Sequence, residues 1–234
     1  MSNLLHFSDS HGRVPTVPDD VEYSIVVCSG DLGPDRYYRK EERLRLNLPS
    51  GGMPASKDYQ EHWYRQSIPK FHALTRGKPF LFTPGNHDFY DPVPLLREAG
   101  IDAHNIVGRV AEFMGIRFYG FPYVPWCGGD WNHELRPPQM NFEVAEVRRL
   151  LEADAFDVLV AHCPPYKVMD KAKNGMECGI AGMTKLLVEL PEEKLPKAYL
   201  CGHVHAAAGA GRFRGTFVSN AATQTRVIPM WVSD

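Results

Sequence analysis

Residues 79–88 read PFLFTPGNHD, an apolar run followed directly by Gly85, Asn86, His87 and Asp88. Aromatic and aliphatic residues bounded by Pro and Gly predict a short buried strand. Loops at the carboxyl ends of strands in an α/β sheet form the crevices where ligands bind. The stretch therefore predicts a strand whose end directs an amide, an imidazole and a carboxylate toward a functional site.

Four other apolar runs end in the same way. Each fragment alone is common turn chemistry, because Gly permits positive φ and Asp or Asn favours turns. The recurrence of the pattern at five strand ends in one chain indicates a shared site. The other runs are LLHFSDSH with Asp9 and His11, YSIVVCSGD with Asp31, DVLVAHCPP with His162, and AYLCGHVH with His203 and His205.

Segments with helical character separate several of these runs, at about residues 56–75, 92–99, 141–153 and 180–190. The alternation of strands and helices predicts an α/β fold with mostly buried strands. No linker, internal repeat or change of composition divides the sequence, so we expect a single domain over residues 1–234.

The composition is that of a globular protein with a sizeable core, since 44% of the 234 residues are hydrophobic and 23% are charged. The 26 Lys and Arg residues nearly balance the 28 Asp and Glu residues, giving a net charge of −2. Duplex nucleic acid is therefore not an expected partner, because its binders usually carry a basic surface. The sequence shows neither a secretory signal nor an apolar run of about 18 residues. We expect a cytoplasmic protein with no membrane partner.

The five cysteines are odd in number and lack CxxC spacing, which argues against a disulfide framework or a thiolate zinc site. Free thiols in a reducing compartment suit this pattern. Cys163 and Cys201 adjoin two of the polar strand ends, and we interpret them as small buried hydrophobic residues. The remaining cysteines are Cys28, Cys127 and Cys178.

Taken together, the blocks SDSHG, GD, GNHD, AH and GHVH, in this order over residues 9–205, resemble the calcineurin-like metallophosphoesterase superfamily. The resemblance implies a four-layer α/β/β/α sandwich with a two-metal centre on the loops at the strand ends. It assigns Asp9, His11 and His205 to the first metal ion, Asn86, His162 and His203 to the second, and Asp31 to a bridging position.

The implied reaction is an in-line displacement at phosphorus. Oxygen and nitrogen donors of this kind suit Mn²⁺, Fe, Zn²⁺ or Mg²⁺, and we favour Mn²⁺ for the two divalent metal ions. A hydroxide that bridges such ions is the expected nucleophile. His87, which the ligand set leaves unassigned, is expected to protonate the departing alkoxide as the general acid. Asp88 is expected to orient the His87 ring or to favour its cationic form.

The segments around these blocks narrow the substrate class. Protein phosphatases of the superfamily carry GDxxDRG and GNHE, whereas this chain has GDLGPDRYY and GNHD. SDSHGR, HCPPYKVMD, CGHVHAAAG and TFVSNAA are similar to small bacterial-type phosphodiesterases, which implies hydrolysis of cyclic nucleotides or simple aryl diesters. The alternatives are a phosphomonoesterase and a catalytically silent metal-binding interaction module. The expected partner is a small-molecule phosphoester such as a nucleotide, bound by a monomer or small homo-oligomer.

Two segments bear on specificity. The aromatic loop, residues 123–139, carries Tyr123, Trp126, Trp131 and His133, which would suit a wall against a base or aryl group. The same aromatics are also consistent with anchoring the loop to the body of the protein. The basic segment RYYRKEERLR could approach phosphate, but its intermixed acidic residues also suit a solvated helix face.

Overall fold

The structure of the protein is a computed structural model that describes residues 3–35 and 53–230. The basic segment RYYRKEERLR lies outside the described residues, so both interpretations of it stay predictions. No helix within these two ranges is long and apolar enough to cross a membrane.

Short strands dominate the described residues, and four helices lie between them. The helices are α1 (Met53–Thr75), α2 (Val93–Glu98), α3 (Pro137–Glu152) and α4 (Ala181–Glu189). The strands are β1 (Asn3–Phe7), β2 (Ile25–Cys28), β3 (Phe80–Phe82), β4 (Ala103–Asn105), β5 (Val110–Phe113), β6 (Ile116–Phe121), β7 (Val124–Pro125), β8 (Glu134–Leu135), β9 (Val158–Ala161), β10 (Ala198–Cys201), β11 (Gly209–Phe213), β12 (Thr216–Asn220) and β13 (Thr225–Pro229).

Most of the described strands form two sheets. The first has the order β13-β1-β2-β3-β4, with β1 to β4 parallel and β13 antiparallel to β1. The second has the order β11-β12-β10-β9-β6-β5, with a parallel centre and an antiparallel strand at each edge. The parallel centres place the carboxyl ends of their strands together, so the loops that follow these ends can converge.

The inner faces of the two sheets pack against each other. Strand side chains alternate between faces, so every second residue of a buried strand points into this layer. Leu4, Val27 and Leu81 of the first sheet belong to the same buried cluster as Val160 and Leu200 of the second.

The helices cover the outer faces. Tyr64 and Phe71 of α1 pack with Phe80 on the first sheet, while Val147 of α3 and Leu186 of α4 pack against the second. The layer order is therefore α/β/β/α, and the fold predicted from the sequence is confirmed.

The helix boundaries differ by a few residues from those predicted. Helix α3 begins at Pro137 rather than near residue 141, because the two prolines occupy its first turn, where an absent N–H does no harm. Strand β10 ends at Cys201, so His203 and His205 lie in the turn beyond it and not on the strand. His203 adopts a left-handed conformation, with φ of 66°, and His205 begins a short 3₁₀ helix.

Candidate metal centre

The seven residues that the resemblance names as ligands lie together where five parallel strands end. They follow β1, β2 and β3 of the first sheet and β9 and β10 of the second. Their donor atoms form two adjoining clusters within the described residues. The nitrogen and oxygen donors of Asp9, His11 and His205 lie within 4.8 Å of one another, as do those of Asp31, His162 and His203.

In the first cluster, His205 is the link between the other two residues. Its Nε2 lies 3.1 Å from Asp9 Oδ1 and 3.4 Å from His11 Nε2. Two imidazole nitrogens that face each other at this distance need a proton or a cation between them. The side chain of His205 is 47% exposed, so this cluster opens to solvent.

In the second cluster, the Asn86 amide oxygen lies 3.1 Å from His162 Nε2 and 3.1 Å from His203 Nδ1. The Asp31 Oδ2 atom lies 3.3 Å from the same His162 nitrogen. His203 and His205 thus belong to different clusters, as their expected assignment to different metal ions requires.

The tautomer of His162 tests whether a cation suits this site. Its Nδ1–H donates to the Ser29 carbonyl oxygen at 2.8 Å, which in the neutral ring leaves a lone pair on Nε2. That lone pair faces the oxygens of Asp31 and Asn86, so either a proton on Nε2 or a cation among these atoms is needed to stabilise the arrangement. An imidazole fixed by a backbone carbonyl in this way is typical of a metal ligand. The donor set of oxygen and nitrogen atoms therefore fits divalent metal ions.

Burial and neighbouring charges shift the pKa values of the ionisable groups in the second cluster. Burial raises the pKa of Asp31, but the charge and hydrogen bond of His162 outweigh it and hold that pKa well below its usual range. Burial lowers the pKa of His162, but the charge of Asp31 outweighs burial and raises it to about 9. Burial, together with the charge of His162, lowers the pKa of His203 to about 4. The cluster is thus built around ionised Asp31.

Backbone conformations direct the donors toward one another. Asp9, His11 and Asp31 have φ of 52°, 40° and 52°, in the left-handed region that few side chains adopt. Such conformations cost of order 1–3 kcal/mol each and persist where the surroundings enforce them. Here Asp9 N–H donates to Gly30 O at 2.9 Å and His11 N–H to Asp31 O at 3.0 Å, which joins the two loops.

At two of the strand ends, neighbouring atoms lie so close to the backbone that only glycine fits. A Cβ on Gly202 would lie 1.9 Å from Ser8 Oγ and 2.0 Å from Asp9 Oδ2. A Cβ on Gly85 would lie 2.2 Å from Asp31 Oδ1. The glycines of GHVH and GNHD therefore leave the space that the carboxylates occupy.

His87 lies beside the clusters, and its carboxylate partner is Asp35. His87 Nδ1 lies 2.7 Å from Asp35 Oδ1, and a nitrogen of the same ring lies within 4.8 Å of the donors of His11 and Asp31. Asp35 Oδ2 also lies 2.9 Å from His11 Nδ1, as an ion pair whose N–H is not directed at the oxygen. Burial lowers the pKa of His87, but Asp35 and Asp31 outweigh burial and raise it.

The expected pairing of Asp88 with His87 is corrected by these contacts. The Asp88 carboxylate is buried and accepts backbone N–H groups from Leu32 at 3.0 Å, Gly33 at 2.9 Å and Gly85 at 2.9 Å. Burial, and then the charge of Asp31, raise its pKa to about 6. Asp88 therefore fixes the loop after β2 to the loop after β3 through backbone N–H groups of both.

Sequence reasoning did not single out Asp35. The sequence feature that points to Asp35 is its position at the end of the block GDLGPD, four residues after Asp31. The extra residue before it hides the usual spacing of the block, and the contact with His87 spans 52 residues of chain.

The aromatic loop does not present its four named residues as one wall. Trp131 stacks on His87, with ring centroids 4.1 Å apart and an interplanar angle of 31°. Tyr123 contacts Phe121 and His133, and belongs to the outer core of the second sheet. Burial lowers the pKa of His133 to about 4.

Trp126 is the last of the four residues predicted to form the wall, and it is 43% exposed. The Arg136 guanidinium lies 3.9 Å from the centroid of its ring. These contacts support the alternative in which the aromatics anchor the loop. Cys163 and Cys201 are fully buried beside the centre, in line with the interpretation of both as small hydrophobic residues.

Two cavities lined by described residues adjoin the centre. One, of about 400 Å³, is lined by Asp9 and His11 together with Arg13 and Gln224. The other, of about 340 Å³, is lined by His203, His205, Lys173 and Cys178. Each cavity combines predicted ligands with a basic side chain.

A four-layer sandwich with two adjoining clusters of oxygen and nitrogen donors at its strand ends is suited to a binuclear metal site. The sequence pattern of calcineurin-like phosphoesterases matches residues 2–207, so the chain belongs to this family of metal-dependent proteins. The resemblance inferred from the motifs is thereby confirmed.

The chain is also similar to curated relatives and solved structures. Metallophosphoesterase domain-containing protein 1 of Homo sapiens and its Mus musculus counterpart are each 24% identical over 213 residues, covering 86% of this chain. The chain spans 60% of the length of these relatives.

Two solved structures share the fold at low sequence identity. One solved chain superimposes with a TM-score of 0.63 at 14% identity, covering 94% of this chain and 90% of its own. The crystal structure of TT1561 of Thermus thermophilus gives 0.52 at 14% identity, covering 94% and 89%. At this identity the likeness concerns the fold alone.

Proposed function

We propose that this chain is a metal-dependent phosphodiesterase that acts on small diesters, such as cyclic nucleotides or aryl diesters. The observation that carries the proposal is the position of Asp31, whose carboxylate lies in contact with His162 and within reach of His11 and His87. One carboxylate is thereby shared between two clusters of donors. Such sharing is what a pair of closely spaced metal ions requires.

The residues that would hold the ions are those of the two clusters. Asp9, His11 and His205 would bind one ion, and both ions would share Asp31. Of Mn²⁺, Fe, Zn²⁺ and Mg²⁺, we expect Mn²⁺ to support activity. Two divalent ions bound there would supply Lewis-acid polarisation of phosphoryl oxygens and activation of water. The second ion would be held by Asn86, His162 and His203.

The charge of the ligand set suits an anionic ester. Asp9 and Asp31 are the carboxylates of the set, and the hydrogen bond of His205 opposes burial and lowers the pKa of Asp9. Two negative charges against two dications leave a positive excess at the centre. A positive, partly buried site attracts a phosphoester and stabilises the charge of its transition state.

His87 is the general acid of this proposal. Its Nδ1 contacts Asp35, so the second proton of the cationic ring is on Nε2, and the raised pKa favours that cationic form. Donation of that proton to the departing alkoxide oxygen completes the cleavage of the ester bond. Asp35 holds the ring orientation while the proton moves.

A preference for diesters is supported by the two cavities. A diester carries two organic arms, whereas a monoester carries one. The cavity of about 400 Å³ is lined by Asp9, and the cavity of about 340 Å³ is lined by His203. Each is large enough for a small arm, so an ester seated at the clusters has space beside it for two arms.

The test compares bis(p-nitrophenyl) phosphate with p-nitrophenyl phosphate, each with Mn²⁺, with chelator, and with the variant His87→Asn. We expect the diester to have the higher kcat/KM and chelator to abolish turnover. A higher kcat/KM for the monoester would identify a phosphomonoesterase. Metal-loaded protein that hydrolyses neither ester would support the silent binding module instead.

A further inference from the structure

The aromatic loop is attached to the chain on both sides of His87. Asn132 N–H donates to the Asn86 carbonyl oxygen at 3.0 Å, and Asn132 Nδ2 donates to the Asp88 carbonyl oxygen at 2.8 Å. Asn86 and Asp88 are the immediate neighbours of His87. The two hydrogen bonds of one residue therefore fix the adjacent Trp131 against the His87 side chain.

Contacts surround the His87 ring on several sides. Trp131 covers a face at 4.1 Å between centroids, Asp35 contacts Nδ1 at 2.7 Å, and His11 meets the ring edge to face at 5.1 Å and 86°. An imidazole side chain has two rotatable bonds, and these contacts restrict both. The remaining nitrogen, Nε2, is consequently held in one direction.

The loop is rigid at its own base. Its two ends pair as β7 and β8, and the Glu134 carboxylate accepts N–H groups from Cys127, Gly128 and Gly129 at 3.1, 3.1 and 2.7 Å. A carboxylate that accepts three backbone donors closes the loop by itself. These contacts within the loop therefore help to hold Trp131 in one position.

We propose that Trp131 is a positioning residue for the catalytic acid, and that Asn132 attaches it there. The inference rests on the proposed role of His87 as the acid. It replaces the expectation that Trp131 forms a wall for the substrate, because one face of the indole is occupied by His87.

The test uses diesters with good and poor leaving groups. An acid matters most when the departing alkoxide is basic, so we expect Trp131→Leu to lower kcat for a methyl p-nitrophenyl diester little and for a dialkyl diester by about 10- to 100-fold. Trp131→Phe keeps a ring over His87 and should restore most of the loss. Phe142→Ala removes an exposed aromatic residue of α3 and serves as the control.

The double variant His87→Asn with Trp131→Leu separates positioning from substrate contact. If Trp131 acts through His87, the double variant is no slower than His87→Asn alone. A raised KM for aryl esters with unchanged kcat would restore the substrate wall. An equal loss for both ester classes, with a lowered Tm, would reduce Trp131 to a purely structural residue.

A spectroscopic measurement tests the contact without turnover. The indole face should shift the His87 ring protons upfield in the NMR spectrum, and the shift should vanish in Trp131→Leu but persist in Trp131→Phe. Absence of the shift in the unsubstituted protein would overturn the positioning role even if the phosphodiesterase activity is found. If the shift is present but His87→Asn leaves dialkyl turnover unchanged, the acid role fails and the inference fails with it.

Discussion

At the scale of single residues, Asp35 joins the two kinds of chemistry in the site. Its oxygens contact the Nδ1 atoms of His11 and His87 at 2.9 and 2.7 Å. His11 belongs to a predicted metal cluster, and His87 is the proposed acid. Burial raises the pKa of Asp35, but its contacts with both rings outweigh burial and lower that pKa. One ionised carboxylate therefore lies against two imidazoles.

Replacing this carboxylate should affect both functions. We expect Asp35→Asn to weaken Mn²⁺ binding by about 10- to 100-fold, because outer partners of metal-binding imidazoles typically have effects of this size. Turnover of a dialkyl diester at saturating Mn²⁺ should fall as well, because the His87 ring loses the charge that orients it. Calorimetric titration with Mn²⁺ and steady-state kinetics measure the two effects separately.

The matched control is Asp19→Asn, which removes a fully exposed carboxylate paired with Arg76 at 3.5 Å. That variant should bind Mn²⁺ and turn over esters like the unsubstituted protein. Normal affinity and normal turnover in Asp35→Asn would show that its contacts with the two rings have no functional effect.

At the scale of elements, the strand ends explain why sequence reasoning located most of the site. A short apolar run followed by Gly and a polar residue has few structural solutions, so β1, β2, β3, β9 and β10 were predicted with their loops. Edge strands such as β4 and β11 were missed because their sequences, AHN and GAGRF, lack a continuous apolar face. Contacts such as that of Asp35 with His87 were missed because tertiary packing alone brings the two residues together.

Gly202, in the turn after β10, allows one strand end to be tested by substitution. Gly202→Ala would place a methyl group 1.9 Å from Ser8 Oγ and 2.0 Å from Asp9 Oδ2. The loop after β1 must then move, which should destabilise the fold by about 1–3 kcal/mol. The displacement of Asp9 should also remove the metal ion that it would bind with His205. Urea unfolding and metal stoichiometry after dialysis measure these effects.

Gly215→Ala is the control, since the nearest atom to its new Cβ would be Leu195 Cδ1 at 3.8 Å. We expect this variant to unfold at the urea concentration of the unsubstituted protein. A Gly202→Ala protein with full stability and full metal content would mean that the turn can open without disturbing the carboxylate.

At the scale of the whole molecule, the site depends on how the two sheets are held face to face. His6, on β1 of the first sheet, is fully buried in the layer between them. Its Nε2 lies 2.9 Å from Ser29 Oγ and its Nδ1 lies 3.1 Å from Ser219 Oγ on β12 of the second sheet. Ser29 also accepts the Nδ1–H of His162 through its carbonyl. The inter-sheet contact and the candidate metal centre therefore share a residue.

This buried imidazole makes stability depend on pH in a defined direction. Burial, followed by the charge of Arg226, lowers the pKa of His6 from 6.5 to about 3, although Asp9 opposes the shift. Because the folded-state pKa is the lower one, folding favours the neutral ring. The contribution of His6 is complete above pH 6.5 and is lost as the pH falls toward 3.

We expect His6→Asn to reduce the pH dependence of stability in that window. Unfolding takes up one proton at His6, so the free energy of unfolding should change with pH less steeply by up to about 1.4 kcal/mol per unit. Urea unfolding at several pH values, with and without the substitution, gives the difference in slope. His62→Gln alters an exposed imidazole of α1 and should leave the slope of the unsubstituted protein in place. Parallel stability profiles for His6→Asn and the unsubstituted protein would instead mean that the ring between the sheets accepts a proton without loss of the fold.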